Sequence, residues 1–120
     1  MPAATRNPWF ETDQVAGVTI VTFTVSEIVE QDAIDAVGQQ LLKLVEYFSS
    51  RRLVLNLGSV HRLSSLMLGK LISLNARVSA AGGRLVLCHL NPEVVEVLKV
   101  VKLLQTFRVC ATEDEAVQSV

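Results

Sequence analysis

An apolar run that gives way to an amphipathic helix is the feature that most constrains how this chain can fold. Leu53–Leu57 is almost continuously apolar, which is typical of a strand buried on both faces of a parallel sheet. Ser65–Ala80 then places apolar residues at helical spacing, in one stripe made of Met67, Leu71, Leu74 and Val78. A strand followed by such a helix predicts a parallel sheet with right-handed crossovers.

The segments after this unit repeat the alternation of strand and helix. Leu85–Leu90 predicts a further buried strand. Asn91-Pro92-Glu93 predicts the start of a helix that continues to about Leu103, since asparagine caps helices and proline favours their first position. A short strand is predicted at Phe107–Val109, and Thr112–Glu115 has the spacing of a capping box that opens a last helix.

The first third of the chain predicts a hairpin and one helix. Trp9–Gln14 and Val18–Val25 predict two strands joined by an Ala-Gly turn. Asp32–Phe48 has helical periodicity, with Asp32 as the predicted cap and Gly38 marking a close approach to the sheet. The predicted order is therefore β-β-α-β-α-β-α-β-α.

Composition limits the class of protein. With 120 residues, half of them hydrophobic and 5% aromatic, the chain predicts one α/β domain, residues 9–120, with an aliphatic core. We expect a mixed sheet of four to five strands with helices packed mainly on one face, behind a flexible tail of residues 1–8. A net charge of −1 argues against nucleic-acid binding. The sequence shows no secretory signal and no apolar stretch of the ~20 residues that span a bilayer, so a cytoplasmic location without membrane contact is predicted.

The chemistry-bearing residues outside the strand-to-helix crossing predict no enzyme site. Phosphate loops and nucleophile elbows are absent, and two histidines are too few for a histidine-based metal site. His61 is predicted to lie in a surface loop, and His89 to make hydrogen bonds beside the edge of the sheet. Cys88 and Cys110 lack a metal-type spacing, and Cys88 is predicted to be a small buried apolar residue. No disulfide is expected, because the sequence shows no secretory signal and a cytoplasmic location is predicted.

Ser64 and Ser65 lie where the chain passes from the predicted central strand into the following helix. Two interpretations of their role remain open. The simpler one is that a serine caps the helix by accepting a hydrogen bond from a backbone N–H. The other is regulation: a hydroxyl at a helix N-terminus can carry a phosphate, which the N–H groups and helix dipole there would favour. The effect of that phosphate would fall on a partner docked over the same edge.

Two segments resemble the STAS domain of bacterial anti-sigma-factor antagonists. They are LVLNLGSVHRLSSLMLGKL, residues 53–71, and AAGGRLVLCHLNPEVVEVLKV, residues 80–100. The family typically reads as an apolar strand, Asp-Ser-Ser-Gly-Leu-Gly, a helix, Gly-Gly-x-Leu-x-Leu-Cys and a loop entering a helix with proline. The resemblance implies a STAS-like fold over nearly the whole domain.

The resemblance also implies a non-enzymatic switch. In that family the serine after the motif aspartate is phosphorylated by an anti-sigma factor with kinase activity, and a phosphatase reverses this. The matching residue is Ser65, with Ser64 the second choice. The unphosphorylated domain would bind the anti-sigma factor. No cofactor, metal or catalytic residue is expected. A homodimer is possible. The predicted contact residues are Glu27, Val29, Asp32, Ser64, Ser65, Leu66, Met67 and Gly69.

The chain departs from the family motif at several positions. Ser64 replaces the aspartate, Leu66 the second serine and Met67 the following glycine, while a Gly-x-Leu-Asp step aligns with Ser26–Val29. Both motif acids are thus missing, and Leu66 and Met67 are expected to crowd Ser65 and make the surface more apolar. Two alternatives follow: an unphosphorylated scaffold or assembly subunit that uses Leu66 and Met67 as its contact, and a small-ligand-binding or transporter-attached STAS domain.

Overall fold

A computed structural model describes residues 8–46 and 51–120. Of the predicted tail only residue 8 lies within them, and Phe48, the predicted end of the first helix, lies outside them. The strands are β1 (Phe10–Val15), β2 (Val18–Phe23), β3 (Glu27–Ile28), β4 (Arg52–Asn56), β5 (Arg62–Leu63), β6 (Arg84–Cys88) and β7 (Arg108–Cys110). The helices are α1 (Gln31–Glu46), α2 (Ser65–Ala80), α3 (Pro92–Val100) and α4 (Glu113–Ser119).

Five of the strands form one mixed sheet in the order β1-β2-β4-β6-β7. β1 is antiparallel to β2, while β4 lies parallel to both β2 and β6, and β7 is parallel to β6. The β1–β2 turn uses Ala16 and Gly17, both at positive φ (53° and 79°), the backbone that a tight hairpin needs. The predicted α/β class, hairpin and mixed sheet are confirmed.

Alternate side chains of the strands pack into two hydrophobic cores of different size, one on each face of the sheet. On one face the strands pack against α1, α2 and α3 through a large aliphatic cluster. On the other face a smaller cluster, which includes Val54, Val86 and Cys88, packs against Ala116 of α4. Period-two alternation of strand side chains explains this division. The prediction that helices pack mainly on one face is confirmed; of the helices in the described residues, only α4 packs on the other face.

Two predictions for α1 are wrong. Asp32 does not cap the helix, because the helical bonding already includes residue 30: the Ile34 N–H donates to the Glu30 carbonyl at 2.9 Å. Asp32 therefore lies within the first turn. Gly38 marks a close approach to α2 rather than to the sheet, since a Cβ built on it would lie 3.1 Å from Cδ of Lys70.

A second, two-stranded sheet was not predicted. β3 pairs in parallel with β5, Glu27 opposite Arg62 and Ile28 opposite Leu63. Two residues are too few for a periodic pattern, so the sequence alone gives no sign of this pairing. Its consequence is local order: it joins the segment before α1 to the segment before α2.

Candidate functional site

The carboxyl ends of the parallel strands gather the loops that could carry function. β2, β4, β6 and β7 run in the same direction, and the chain leaves each of them at one edge of the sheet to enter the next helix. Ligands and partners of α/β folds usually bind at this edge. The four helices of the described part of the chain therefore begin there, with their N–H groups and positive dipole ends.

The small sheet brings together two of the segments predicted to contact a partner. Besides the β3–β5 ladder, the Ser64 N–H donates to the Ile28 carbonyl at 3.3 Å, and the His61 N–H donates to the Ser26 carbonyl at 2.7 Å. Side chains reinforce the pairing, since Arg62 Nη1 lies 3.6 Å from Glu27 Oε2. We call the surface formed by Glu27–Asp32 and Ser64–Gly69 the docking rim.

Ser64 is the cap of α2. Its backbone is extended (φ −78°, ψ 160°), and its Oγ accepts a hydrogen bond from the Met67 N–H at 3.2 Å. The Ser64 carbonyl accepts from the Leu68 N–H at 3.1 Å, which begins the helical ladder. Ser65 is the first residue of α2 and is exposed. The Ser64 hydroxyl thus accepts a hydrogen bond within the fold, whereas Ser65 is exposed to solvent.

Met67 belongs to the Ser64–Gly69 segment, but its side chain does not reach the surface of the docking rim, which corrects its prediction as a contact residue. Its side chain is fully buried in the large core, in the stripe that packs against the sheet, so it can neither crowd Ser65 nor touch a partner. Leu66 is 47% exposed and is a large apolar side chain beside Ser65. Glu27, Asp32 and Gly69 are exposed as well, whereas Val29 is half-buried.

The loop that leads into α2 is held by the start of α3. Asn91 occupies the predicted cap position of α3, but its side chain makes no capping bond; instead, its Nδ2 donates to the carbonyls of Gly58 at 3.0 Å and Val60 at 2.7 Å. His61 Nδ1 lies 3.1 Å from Glu93 Oε2. The pKa of Glu93 is lowered, first by its own backbone N–H and then by His61. The sequence did not predict these contacts between the loop and α3, because the residues they join are 31 to 33 positions apart.

A polar chain fixes the start of α4 over the ends of β4 and β6. The Asn56 amide Nδ2 donates to Glu113 Oε1 at 3.0 Å, and the Glu113 N–H donates to His89 Nε2 at 3.2 Å. The predicted hydrogen bonding of His89 is thus confirmed, and so is the capping box of Thr112. Within residues 8–46 and 51–120, no group of three or more His, Cys, Asp or Glu could hold a metal ion. In the same residues, none of the helices combines the length and the hydropathy that a membrane span requires.

The first turn of α2 differs from those of the other helices in charge. It contains no acidic residue, whereas Asp32, Glu93 and the Glu113–Glu115 run place carboxylates in the first turns of α1, α3 and α4. A negative charge at a helix N-terminus interacts favourably with the dipole. The first turn of α2 has no carboxylate to interact with the helix dipole. A negative group on Ser65 would supply that interaction.

We predict that the two serines differ in their effect on stability. Ser64→Ala removes the capping acceptor and should lower the free energy of unfolding by about 1 kcal/mol. Ser65→Ala alters an exposed side chain and should change it by less than about 0.5 kcal/mol. Urea unfolding followed by circular dichroism measures both. Equal losses in the two variants would contradict the assignment of Ser64 as the cap.

We predict that a negative charge at Ser65 stabilises the fold. Ser65→Asp adds a carboxylate to the bare first turn of α2 and should raise the free energy of unfolding by about 0.3–1 kcal/mol at low salt. Ser79→Asp places the same exposed charge near the other end of α2 and should lower it by a similar amount. Unfolding of both variants in low and high salt is the measurement; effects of the same sign would exclude the dipole as the cause.

Several solved structures share this architecture. A STAS domain protein from Planctomyces limnophilus, described as an anti-sigma-factor antagonist, superposes with a TM-score of 0.82 at 20% identity, over 92% of this chain and 96% of that one. The Bacillus cell fate determinant SpoIIAA in its phosphorylated form gives 0.69 at 17% identity, over 92% and 97%. A sulfate transporter family protein from Wolinella succinogenes gives 0.71 at 14% identity, over 89% and 87%.

At these identities the likeness establishes the fold, and its bearers range from antagonists to a transporter family protein. No protein with a curated description matches the sequence significantly. The model of the STAS domain family, by contrast, matches residues 10–116. This match spans both cores, the small sheet and the docking rim. Because it covers most of the chain, the protein belongs to the STAS domain family.

Proposed function

We propose that this STAS domain is a non-enzymatic interaction module that binds an anti-sigma factor through the docking rim. We propose further that phosphorylation of Ser65 by a serine kinase, the anti-sigma factor itself, abolishes that binding, and that a phosphatase restores it. The observation that carries the proposal is the position of Ser65. It is exposed at the first turn of α2, on the edge of the sheet where the chain gathers its loops.

The composition of the docking rim supports a protein partner. Leu66 supplies an exposed apolar side chain, while Glu27 and Asp32 are exposed acidic residues in the other segment of the rim. Interfaces commonly combine an apolar centre with a polar periphery. The complementary partner surface would be an apolar pocket flanked by basic side chains. Glu27 is already paired with Arg62, so Asp32 is the stronger candidate for such a contact.

The electrostatics of α2 support phosphorylation despite the missing motif acids. A phosphoserine carries roughly −1.5 to −2 charges at neutral pH. A carboxylate in the first turn would repel it, and none is present there. The dipole of α2 would favour the phosphate, so the modification should leave the fold intact. Its effect would be on the partner, which would have to dehydrate the phosphate or place its own carboxylates against it.

The phosphorylation site is tested with an anti-sigma kinase from the same organism and ATP. We expect one phosphate, located on Ser65 by peptide mass spectrometry. Ser64→Ala should still be modified, since its hydroxyl serves only the cap, and Ser65→Ala should not be modified. Phosphate on Ser64, or none on either serine, would contradict the proposed switch; binding that Ser65 phosphorylation leaves unchanged would do so as well.

The contact surface is tested by truncating two exposed apolar residues, Leu66 in the first turn of α2 and Val100 at the last residue of α3. Leu66→Ser should weaken binding of the anti-sigma factor by more than about tenfold, because truncated interface anchors typically cost about 2 kcal/mol. Val100→Ser is the matched control: Val100 is 76% exposed and ends α3, away from the edge where the helices begin. Calorimetric titration measures both. A larger loss with Val100→Ser would place the interface elsewhere.

The same titration distinguishes binding of an anti-sigma factor from two alternative functions, a scaffold subunit and a transporter-attached domain. A protein that binds no anti-sigma factor and self-associates would favour the scaffold. The structural similarity to a sulfate transporter family protein is the observation that supports the transporter-attached alternative.

A further inference from the structure

The two cysteines, 22 residues apart in sequence, are direct neighbours in the sheet. In the parallel ladder between β6 and β7, Cys88 stands opposite Cys110. Adjacent strands lie about 4.8 Å apart, and this spacing falls inside the roughly 4.4–6.8 Å between Cα atoms that a disulfide accommodates. The β6–α3–β7 crossover brings them together, which the spacing in the sequence does not indicate.

Both cysteine side chains belong to the small core beneath α4, so they point to the same face of the sheet. Cys88 is fully buried, whereas Cys110 is half-buried. Cys110 Sγ lies 3.5 Å from Ser119 Oγ. Because the Ser119 hydroxyl donates to the Ala116 carbonyl at 3.2 Å, its lone pairs are available to accept from the Cys110 thiol. The pair is therefore asymmetric, with one thiol reachable from solvent and one shielded.

We propose that Cys88 and Cys110 form a reversible dithiol–disulfide pair that responds to hydroperoxides. The Cys110 thiolate attacks the terminal oxygen of hydrogen peroxide, the O–O bond breaks, and hydroxide leaves, so that Cys110 becomes a sulfenic acid. The Cys88 thiol then attacks the sulfenic sulfur, and the S–O bond of the sulfenic acid breaks. The hydroxide released from the sulfenic acid takes the Cys88 thiol proton as water, and the disulfide is complete. A thiol reductant such as dithiothreitol reverses the process by thiol–disulfide exchange.

The order of these steps follows from burial. Desolvation, with smaller contributions from Glu113 and Cys110, raises the pKa of the Cys88 thiol to about 12, so Cys88 is protonated and is a poor first target for peroxide. Cys110 meets the oxidant and Cys88 resolves the product. The register places the resolving sulfur next to the sulfenic acid, which protects Cys110 from further oxidation.

Oxidation would change how the edge of the sheet is held. β7 is three residues long and occupies one end of the strand order, so within residues 8–46 and 51–120 its ladder runs to β6 alone. A disulfide adds a covalent link at the last rung of that ladder and closes a loop that contains α3. Opening of β7, and of α4 that follows it, would then be restricted. This inference concerns the far side of the sheet and does not depend on the proposed function.

The test is to oxidise the folded protein with an equimolar amount of hydrogen peroxide, block free thiols with N-ethylmaleimide and digest with trypsin without reductant. Cleavage after Arg84, Lys99 and Arg108 separates the two cysteines into peptides 85–99 and 109–120. We expect these peptides to be joined, lighter by two hydrogen atoms than their sum, and separated again by dithiothreitol. Amide exchange in β7 should slow by at least about tenfold on oxidation.

Two variants keep the test decisive. In Cys88→Ala, Cys110 should accumulate as a sulfenic acid that dimedone traps; in Cys110→Ala, Cys88 should stay unmodified at the same dose, and β7 exchange should not respond. Disulfide-linked dimers through Cys110 on a non-reducing gel would overturn the proposal. So would oxidised Cys110 alongside a Cys88 that still alkylates after unfolding, or no reaction of either thiol.

Discussion

The parallel pairing of β4 with strands on both of its sides is the constraint on which the rest of the structure depends. Leu53, Val54 and Leu55 are fully buried, because β4 is covered by helices on both faces and bonded to β2 and β6 along both edges. A strand held in this way has one register. The packing of β4 in the core therefore fixes where the strand ends. It also fixes the direction of the loop that leads to α2.

Three further contacts carry that order from β4 to Ser65. Asn91 holds the carbonyls of the loop, β5 pairs with β3, and Ser64 closes the first turn of α2. None of them involves the Ser65 side chain. These contacts hold the segment around an exposed serine at a helix end whose first turn lacks a carboxylate. Such an arrangement suits a switch that acts on a partner and leaves the fold unchanged.

The sequence predicted the elements better than it predicted their contacts. The bounds of α2 follow from its cap and from the Gly82-Gly83 pair at its end, which are local signals. Two predictions for Met67 disagreed: helical periodicity placed it in the buried stripe of α2, whereas the family motif placed it among the contact residues. The structure agrees with the periodicity, since Met67 is fully buried. The Cys88–Cys110 neighbourhood and the β3–β5 pairing could not be predicted, because both depend on the order of strands in space.

The central claim is that the docking rim is the surface that meets the partner. An isotope-labelled sample titrated with an anti-sigma factor of the same organism tests it most directly, by the backbone amide shifts. The account predicts that the largest shift changes fall in Glu27–Asp32 and Ser64–Gly69 and disappear when Ser65 carries a phosphate. Shift changes concentrated on the exposed apolar end of α3, around Val97 and Val100, would contradict it.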